Sequence, residues 1–191
     1  MLHPRILQQR LSAVRLLALD VDGVLTDGRI YVSDSGERIR AFDVKDGSGV
    51  VYLHRAGIRV ALLSGENRDA VRHRAERLGI QTVLLGYKDK RLGLQDLLAA
   101  EQVALEEICY VGDDLPDLPV LRAVGLGVAV ADAHPLVRAA AAWVTANPGG
   151  RGAVREVAER LLKAQGKWPG ILGRYFHDSS TRGGAGREAL P

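Results

Sequence analysis

The chain has 191 residues, 47% hydrophobic and 26% charged, with a net charge of +3, as expected of one globular domain able to bury a sizeable core. So small and dispersed a charge, with no basic patch interleaved with aromatics, gives no case for a nucleic-acid partner. The single cysteine, Cys109, excludes an intrachain disulfide and a Cys-based zinc site. With no stretch long enough to span a bilayer and no apolar signal core, no membrane attachment and a cytoplasmic location are expected.

Residues 1–15 read as a short amphipathic helix, with Leu7, Leu11 and Val14 on one side. The first strand, Leu16–Asp20, is a continuous apolar run of the kind buried on both faces of a sheet, and it ends in acids, Asp20 and Asp22, followed by Gly23. Arg29–Val32 and Glu37–Phe42 flank a Ser/Asp/Gly turn and predict a β-hairpin flap over 29–42. A lone hairpin is marginally stable, so it needs something to pack on. Asp43–Gly49 reads as a polar, glycine-rich loop, and Val50–Ala56 as a helix closed by Gly57. A second strand, Ile58–Leu63, stops at Ser64-Gly65, and a charged helix spans Asn67–Leu78. Strands at Gln81–Leu85, Ile108–Val111 and Leu126–Val130 alternate with helices at Lys90–Ala100, Asp117–Val124 and His134–Ala142. Trp143–Val144 makes a short sixth strand and Ala153–Gln165 a last helix. That alternation predicts an α/β fold with a Rossmann-like, doubly wound parallel sheet in one domain over 1–165. Residues 166–191, rich in Gly, Ser and Arg, read as a tail.

The chemistry gathers at strand ends, where open α/β sheets bind ligands. Asp20 and Asp22 stand one residue apart and serve one site only if the chain leaves the strand at Asp20 or soon after. The pattern suits attack on phosphorus: Asp20 as nucleophile, Asp22 as acid and then base, and Mg2+ offsetting the repulsion between carboxylate and phosphate. Ser64 and the Gly65 amide offer donors to phosphate oxygens, although Ser64 equally suits a helix cap. Lys90 opens a helix, an unfavourable place for a cation unless it meets a ligand. Gly112-Asp113-Asp114 again puts carboxylates at the sheet edge, suited to Mg2+.

Acids, hydroxyl, ammonium and acids at successive strand ends are similar to the four motifs of the haloacid dehalogenase superfamily. The matching segments are DVDGVLTDG, LLSG, the Lys of KDK and VGDDLPD, within residues 14–165. The resemblance implies Asp20 as nucleophile, Asp22 as acid/base, and Ser64 and Lys90 on the phosphate. It implies Mg2+ held by Asp20, the Asp22 backbone carbonyl and Asp113, with Asp114 and Asp117 behind them. More narrowly, FDVKDGSG, VAVADAHP and GGRGAVREV resemble the capless branch that contains 3-deoxy-D-manno-octulosonate 8-phosphate phosphatase. The spacings between motifs leave no room for a cap domain beyond the hairpin. In that branch hairpins join subunits into a homotetramer, and the GGRG segment of one subunit approaches the site of another.

One departure bears on substrate. Glu66 follows Ser64-Gly65, where the octulosonate enzymes usually carry Arg and phosphatases of nine-carbon sugar acid 9-phosphates carry Glu. Gly23, Gly65, Lys45, Glu66, Arg72, Arg77 and Arg151 are therefore candidates for holding a small sugar phosphate. The eight-carbon 8-phosphate is the first choice and the nine-carbon 9-phosphate the second. A phospho-receiver domain would place its phosphorylated Asp on a middle strand, and a catalytically idle oligomerisation domain would not need four intact motifs.

Overall fold

The structure, a computed structural model, describes residues 2–176. Strand β1 (Leu16–Leu19) is followed by two short strands, β2 (Tyr31–Val32) and β3 (Arg38–Ile39), and then by β4 (Arg59–Ser64), β5 (Thr82–Leu85), β6 (Ile108–Gly112), β7 (Leu126–Ala129) and β8 (Trp143–Val144). All but β2 and β3 join one parallel sheet in the order β5-β4-β1-β6-β7-β8. Leu16 to Leu19 lie between Arg59–Leu62 on one side and Ile108–Val111 on the other. The chain runs outward from β1 to β4 and β5, then crosses back to β6. The strand order therefore switches between β1 and β6, the position at which doubly wound sheets open a crevice at their carboxyl ends.

Helices cover both faces. They are α1 (Pro4–Ala13), α2 (Val44–Arg55), α3 (Asp69–Leu78), α4 (Lys90–Glu101), α5 (Leu118–Ala123), α6 (Pro135–Ala140), α7 (Ala153–Ala164) and α8 (Trp168–Leu172). α7 packs on α1 and α2, and α2 touches α3; α4 meets α5, and α5 meets α6. Every residue of β1 is fully buried, as its unbroken apolar run requires. Each buried leucine there contributes roughly 1.5–3 kcal/mol.

Two expectations need correcting. Residues 44–49 are not a loop: α2 begins at Val44, capped by Asp43, whose Oδ1 accepts the amides of Lys45 (2.6 Å) and Asp46 (3.0 Å). Its glycines permit close approach by neighbours. A Cβ on Gly47 would stand 2.4 Å from the Arg74 guanidinium, and one on Gly49 would stand 3.1 Å from the α7 backbone at Arg155. Nor does the packed chain end at 165, since α8 buries Ile171 and sets Trp168 edge-on to Tyr52, ring centroids 6.2 Å apart. The rest of the expected tail, residues 177–191, lies outside the described residues.

The hairpin has two paired residues per strand, Tyr31 opposite Ile39 and Val32 opposite Arg38. Ile30, Tyr31, Val32 and Ile39 leave large apolar side chains exposed.

Candidate active site

β1 ends at Leu19, and the chain turns at once. The amides of Val24, Leu25 and Thr26 all point back to the Val21 carbonyl, at 3.3, 3.0 and 3.1 Å. The turn carries Asp20 and Asp22 to one edge, which a continuing strand would not do. Gly23 has φ +91°, and a Cβ there would lie 2.1 Å from Asp113 Oδ2. Only glycine lets this turn approach the loop after β6 so closely.

A cavity of about 240 Å3 opens at the switch point. Asp20, Asp22, Ser64, Gly65, Glu66, Lys90, Asp113, Asp114 and Asp117 line it, with Tyr87, Lys88 and Pro116. Gly23 stands behind it, against Asp113. Four further candidates lie off its wall. Lys45 and Arg77 are exposed on α2 and α3. Arg72 is bonded to Asn67 at 2.8 Å, and Arg151 reaches Asp27 of its own chain at 3.7 Å.

Lys90 is the hub of the cavity floor. Asp89 caps α4 and puts Lys90 in its first turn, buried, with Nζ 2.8 Å from Asp20 Oδ1 and also bonded to Asp117. Burial works against its charge, but Asp20 and Asp117 together outweigh that and hold the ammonium above its ordinary pKa. Asp117 is fully engaged. Its Oδ1 accepts Lys90 and the Tyr110 hydroxyl (2.6 Å), and its Oδ2 accepts the amides of Asp113 (2.8 Å) and Asp114 (3.1 Å). It thus pins the loop after β6 to the lysine. Ser64, the last residue of β4, is buried, and its Oγ accepts the Glu66 amide at 3.2 Å. It is not a helix cap, because α3 starts after Arg68. Its hydroxyl proton is left for another acceptor.

At the mouth, both oxygens of Glu66 are paired, Oε1 with Lys88 Nζ (2.7 Å) and Oε2 with Arg68 Nη2 (3.2 Å). The Lys88 hydrogen bond foremost holds its carboxyl below the ordinary range. Asp22 is held by Arg40, whose Nε lies 2.5 Å from Oδ1.

Sequence reasoning missed Tyr110 and Arg40. Tyr110 sits inside the run Ile108–Val111 and carries no signal apart from its hydroxyl. Arg40 reads as one more polar residue in a hairpin.

The floor fits a divalent cation. Carboxylate oxygens of Asp20, Asp113 and Asp117 lie within 4.8 Å of one another, and Asp113 Oδ1 is buried with no hydrogen-bond partner. Burial pushes Asp20 up to about 6 against the pull of Lys90. Burial, with Asp20 and Asp117 close by, pushes Asp113 up to about 8. A cation between two such carboxylates offsets both costs. Since Asp117 is saturated, Asp20 and Asp113 are the free carboxylates. The Asp22 carbonyl accepts no hydrogen bond from the described residues and is free to join them.

The family profile described as haloacid dehalogenase-like hydrolase matches residues 86–156. The chain is 47% identical over 165 residues to the 3-deoxy-D-manno-octulosonate 8-phosphate phosphatase of Yersinia pestis, covering 86% of this chain and 88% of that protein. It is 50% identical over 154 residues to the Escherichia coli K12 phosphatase of the same name, covering 81% and 82%. The chain belongs to the haloacid dehalogenase-like hydrolases. Among solved structures, this hydrolase is similar to a probable YrbI family phosphatase of Pseudomonas syringae, with TM-score 0.89, 44% identity, and 91% and 99% of the two chains covered. It is also similar to the octulosonate 8-phosphate phosphatase of Moraxella catarrhalis in complex with a magnesium ion, a phosphate ion and a KDO molecule, with TM-score 0.88 and 37% identity over 91% and 99%. Mg2+ is the cofactor of this hydrolase, and it is an enzyme acting on phosphoric monoesters. Among the described residues no helix is long and apolar enough to cross a membrane.

Proposed function

We propose that this enzyme hydrolyses 3-deoxy-D-manno-octulosonate 8-phosphate to 3-deoxy-D-manno-octulosonate and phosphate through a phosphorylated Asp20. The observation that carries the reading is the cavity floor. There the Asp20 carboxylate, 2.8 Å from Lys90 Nζ, shares the cavity at the switch point of the sheet with Ser64 and with Asp113, a carboxylate oxygen of which lies within 4.8 Å of one of its own. The relatives' names supply the sugar.

In this reading Asp20 attacks phosphorus as the sugar C8 oxygen leaves. Asp22 gives that oxygen a proton and then takes one from the water that hydrolyses the aspartyl phosphate. Lys90 and Ser64 hold phosphate oxygens, and Tyr110 and Asp117 keep Lys90 aimed. Asp20, Asp113 and the Asp22 carbonyl would hold Mg2+, which supplies charge neutralisation at the phosphoryl group. Asp114 stands behind, at the rim. Glu66, with Lys88 and Arg68 bonded to it, meets the sugar. The three carry one net positive charge, which suits a sugar carboxylate better than Glu66 alone would. Homotetramer assembly through the exposed hairpins, in the cytoplasm, completes the reading. Lys45, Arg72, Arg77 or Arg151 would then reach substrate across a subunit boundary.

The test is phosphate release from eight-carbon 8-phosphate and nine-carbon 9-phosphate sugar acids, with Mg2+ and with chelator. Preference for the eight-carbon acid, lost in chelator and restored by Mg2+ but not by Ca2+, is the expected result. Preference for the nine-carbon acid would overturn the substrate, and full activity in chelator would overturn the mechanism.

A further inference from the structure

The segment 31–39 is exposed throughout, yet the next residue, Arg40, is buried, its side chain 1% accessible. A guanidinium withdrawn from water needs a carboxylate to offset the cost. The acid within ion-pair distance is Asp22, eighteen positions back, on the catalytic turn. The contact is uneven. Arg40 Nε lies 2.5 Å from Oδ1, while Nη2 only reaches 3.5 Å from Oδ2. A symmetric fork would occupy both oxygens. Here Oδ1 is held closely and Oδ2 only by the long Nη2 contact, which leaves Oδ2 the less engaged oxygen of a residue that lines the cavity.

We propose that Arg40 is a positioning residue for the reaction: it clamps Oδ1 of Asp22 so that Oδ2 faces the leaving oxygen of the substrate. The inference rests on the reading of Asp22 as the group that protonates that oxygen. It adds a residue from the hairpin, outside the four strand ends that supply the chemistry. It also gives the hairpin a route to the site, because Arg40 directly follows β3 and a displaced hairpin would release Asp22. Without the clamp, Asp22 is a partly exposed side chain on a turn, free to rotate, and its proton reaches the leaving oxygen only in a fraction of encounters. No bond to phosphorus involves Arg40; the proton still passes from Asp22 to the departing oxygen.

The experiment uses the Mg2+-loaded enzyme and two kinds of substrate. A sugar or alkyl phosphate expels a basic alkoxide that needs a proton, whereas p-nitrophenyl phosphate expels a phenolate that does not. The parameter is kcat/KM, which covers steps up to departure of the leaving group. For Arg40→Gln, kcat/KM on the alkyl substrate is expected to fall by about 30-fold or more, within the range of general acid catalysis, and that on p-nitrophenyl phosphate by less than about threefold. Arg40→Lys, which keeps the charge, recovers most of the loss. In an Asp22→Asn background Arg40→Gln costs nothing more, because the group it positions is gone. Equal losses on both substrates, or none, would overturn the proposal, and so would additivity with Asp22→Asn. Should Arg40→Gln melt too low to assay, the same split is read in Arg40→Met, which keeps the aliphatic stem of the buried side chain and removes its charge. If Asp22→Asn itself fails to separate the substrates, the acid–base reading falls, and the clamp with it; if Asp22→Asn separates them and Arg40→Gln does not, the clamp alone falls.

Discussion

The carboxyl edge of the sheet and the hairpin beside it are built on opposite plans. At the edge, the chain completes its own charge pairing: Lys90, Asp20, Asp117 and Tyr110 are all buried and bonded to one another. In the hairpin, four large apolar side chains face outward, and Arg40 is the one buried residue of 29–42. The first region is preorganised before any ligand arrives, as electrostatic catalysis demands. The second leaves apolar surface exposed in the single chain, the surface that the proposed tetramer would cover. The difference teaches where substitutions should act: at the edge on chemistry and local stability together, in the hairpin on assembly first.

The largest expected effect is at the edge. Asp20→Asn should leave the melting temperature unchanged or raised, since one of three crowded acids loses its charge. It should lower kcat by about 10^4-fold or more, as removal of a nucleophile does in other hydrolases. Substantial turnover by purified Asp20→Asn would break the comparison at its root. Next comes Lys90→Met, which strips the shared cation from Asp20 and Asp117. Without Mg2+ the protein should lose about 3–5 kcal/mol, the cost of leaving buried acids unpaired. Mg2+ should return part of it, read as a rise in denaturation midpoint, whereas equal stability with and without Mg2+ would argue against a cation on that floor.

Glu66→Arg sharpens the boundary between floor and mouth. If the Glu66–Lys88–Arg68 group reads the sugar, the kcat/KM ratio between the two sugar acids should move by about tenfold or more, the order of one charged hydrogen bond. An unchanged ratio would leave Glu66 as a partner for two cations and move selectivity to the neighbouring subunit. The smallest effect on the single chain belongs to the hairpin. Val32→Asp with Ile39→Asp should change monomer stability by no more than about 0.5 kcal/mol per site, because both side chains already sit in water. In light scattering the same change should convert tetramer to smaller species. A tetramer that survives both charges would place the interface elsewhere.

Much of this was legible in the sequence, for physical reasons that differ by element. Buried parallel strands are nearly uniform in apolar content, so β1, β4 and β6 stood out, and the residues that end them stood out with them. Asp20, Ser64 and Asp113 stood out because they interrupt that pattern, and Lys90 because a cation is unfavourable at the start of a helix. Tyr110 was not, because an aromatic ring in an apolar run reads as core and its one polar atom is invisible to hydropathy. α2 was half missed because Gly47 and Gly49 signal a loop locally, while the contacts that require them come from Arg74 and Arg155, far away in the chain. Arg40 needed three dimensions, since nothing in a hairpin strand marks which charged residue turns inward. Lys45, Arg72, Arg77 and Arg151 were chosen for charge alone, and charge without a strand end to place it did not bring them to the cavity wall.

The central claim is that phosphate passes through Asp20. The most direct measurement is an acid quench during steady turnover of the sugar phosphate with Mg2+, followed by peptide mass spectrometry. The account predicts the mass of one phosphoryl group on the peptide carrying Asp20, absent in Asp20→Asn and enriched in Asp22→Asn, where the base that discharges the intermediate is missing. A phosphoryl group on any other residue, or full turnover with none on Asp20 in either protein, would contradict it.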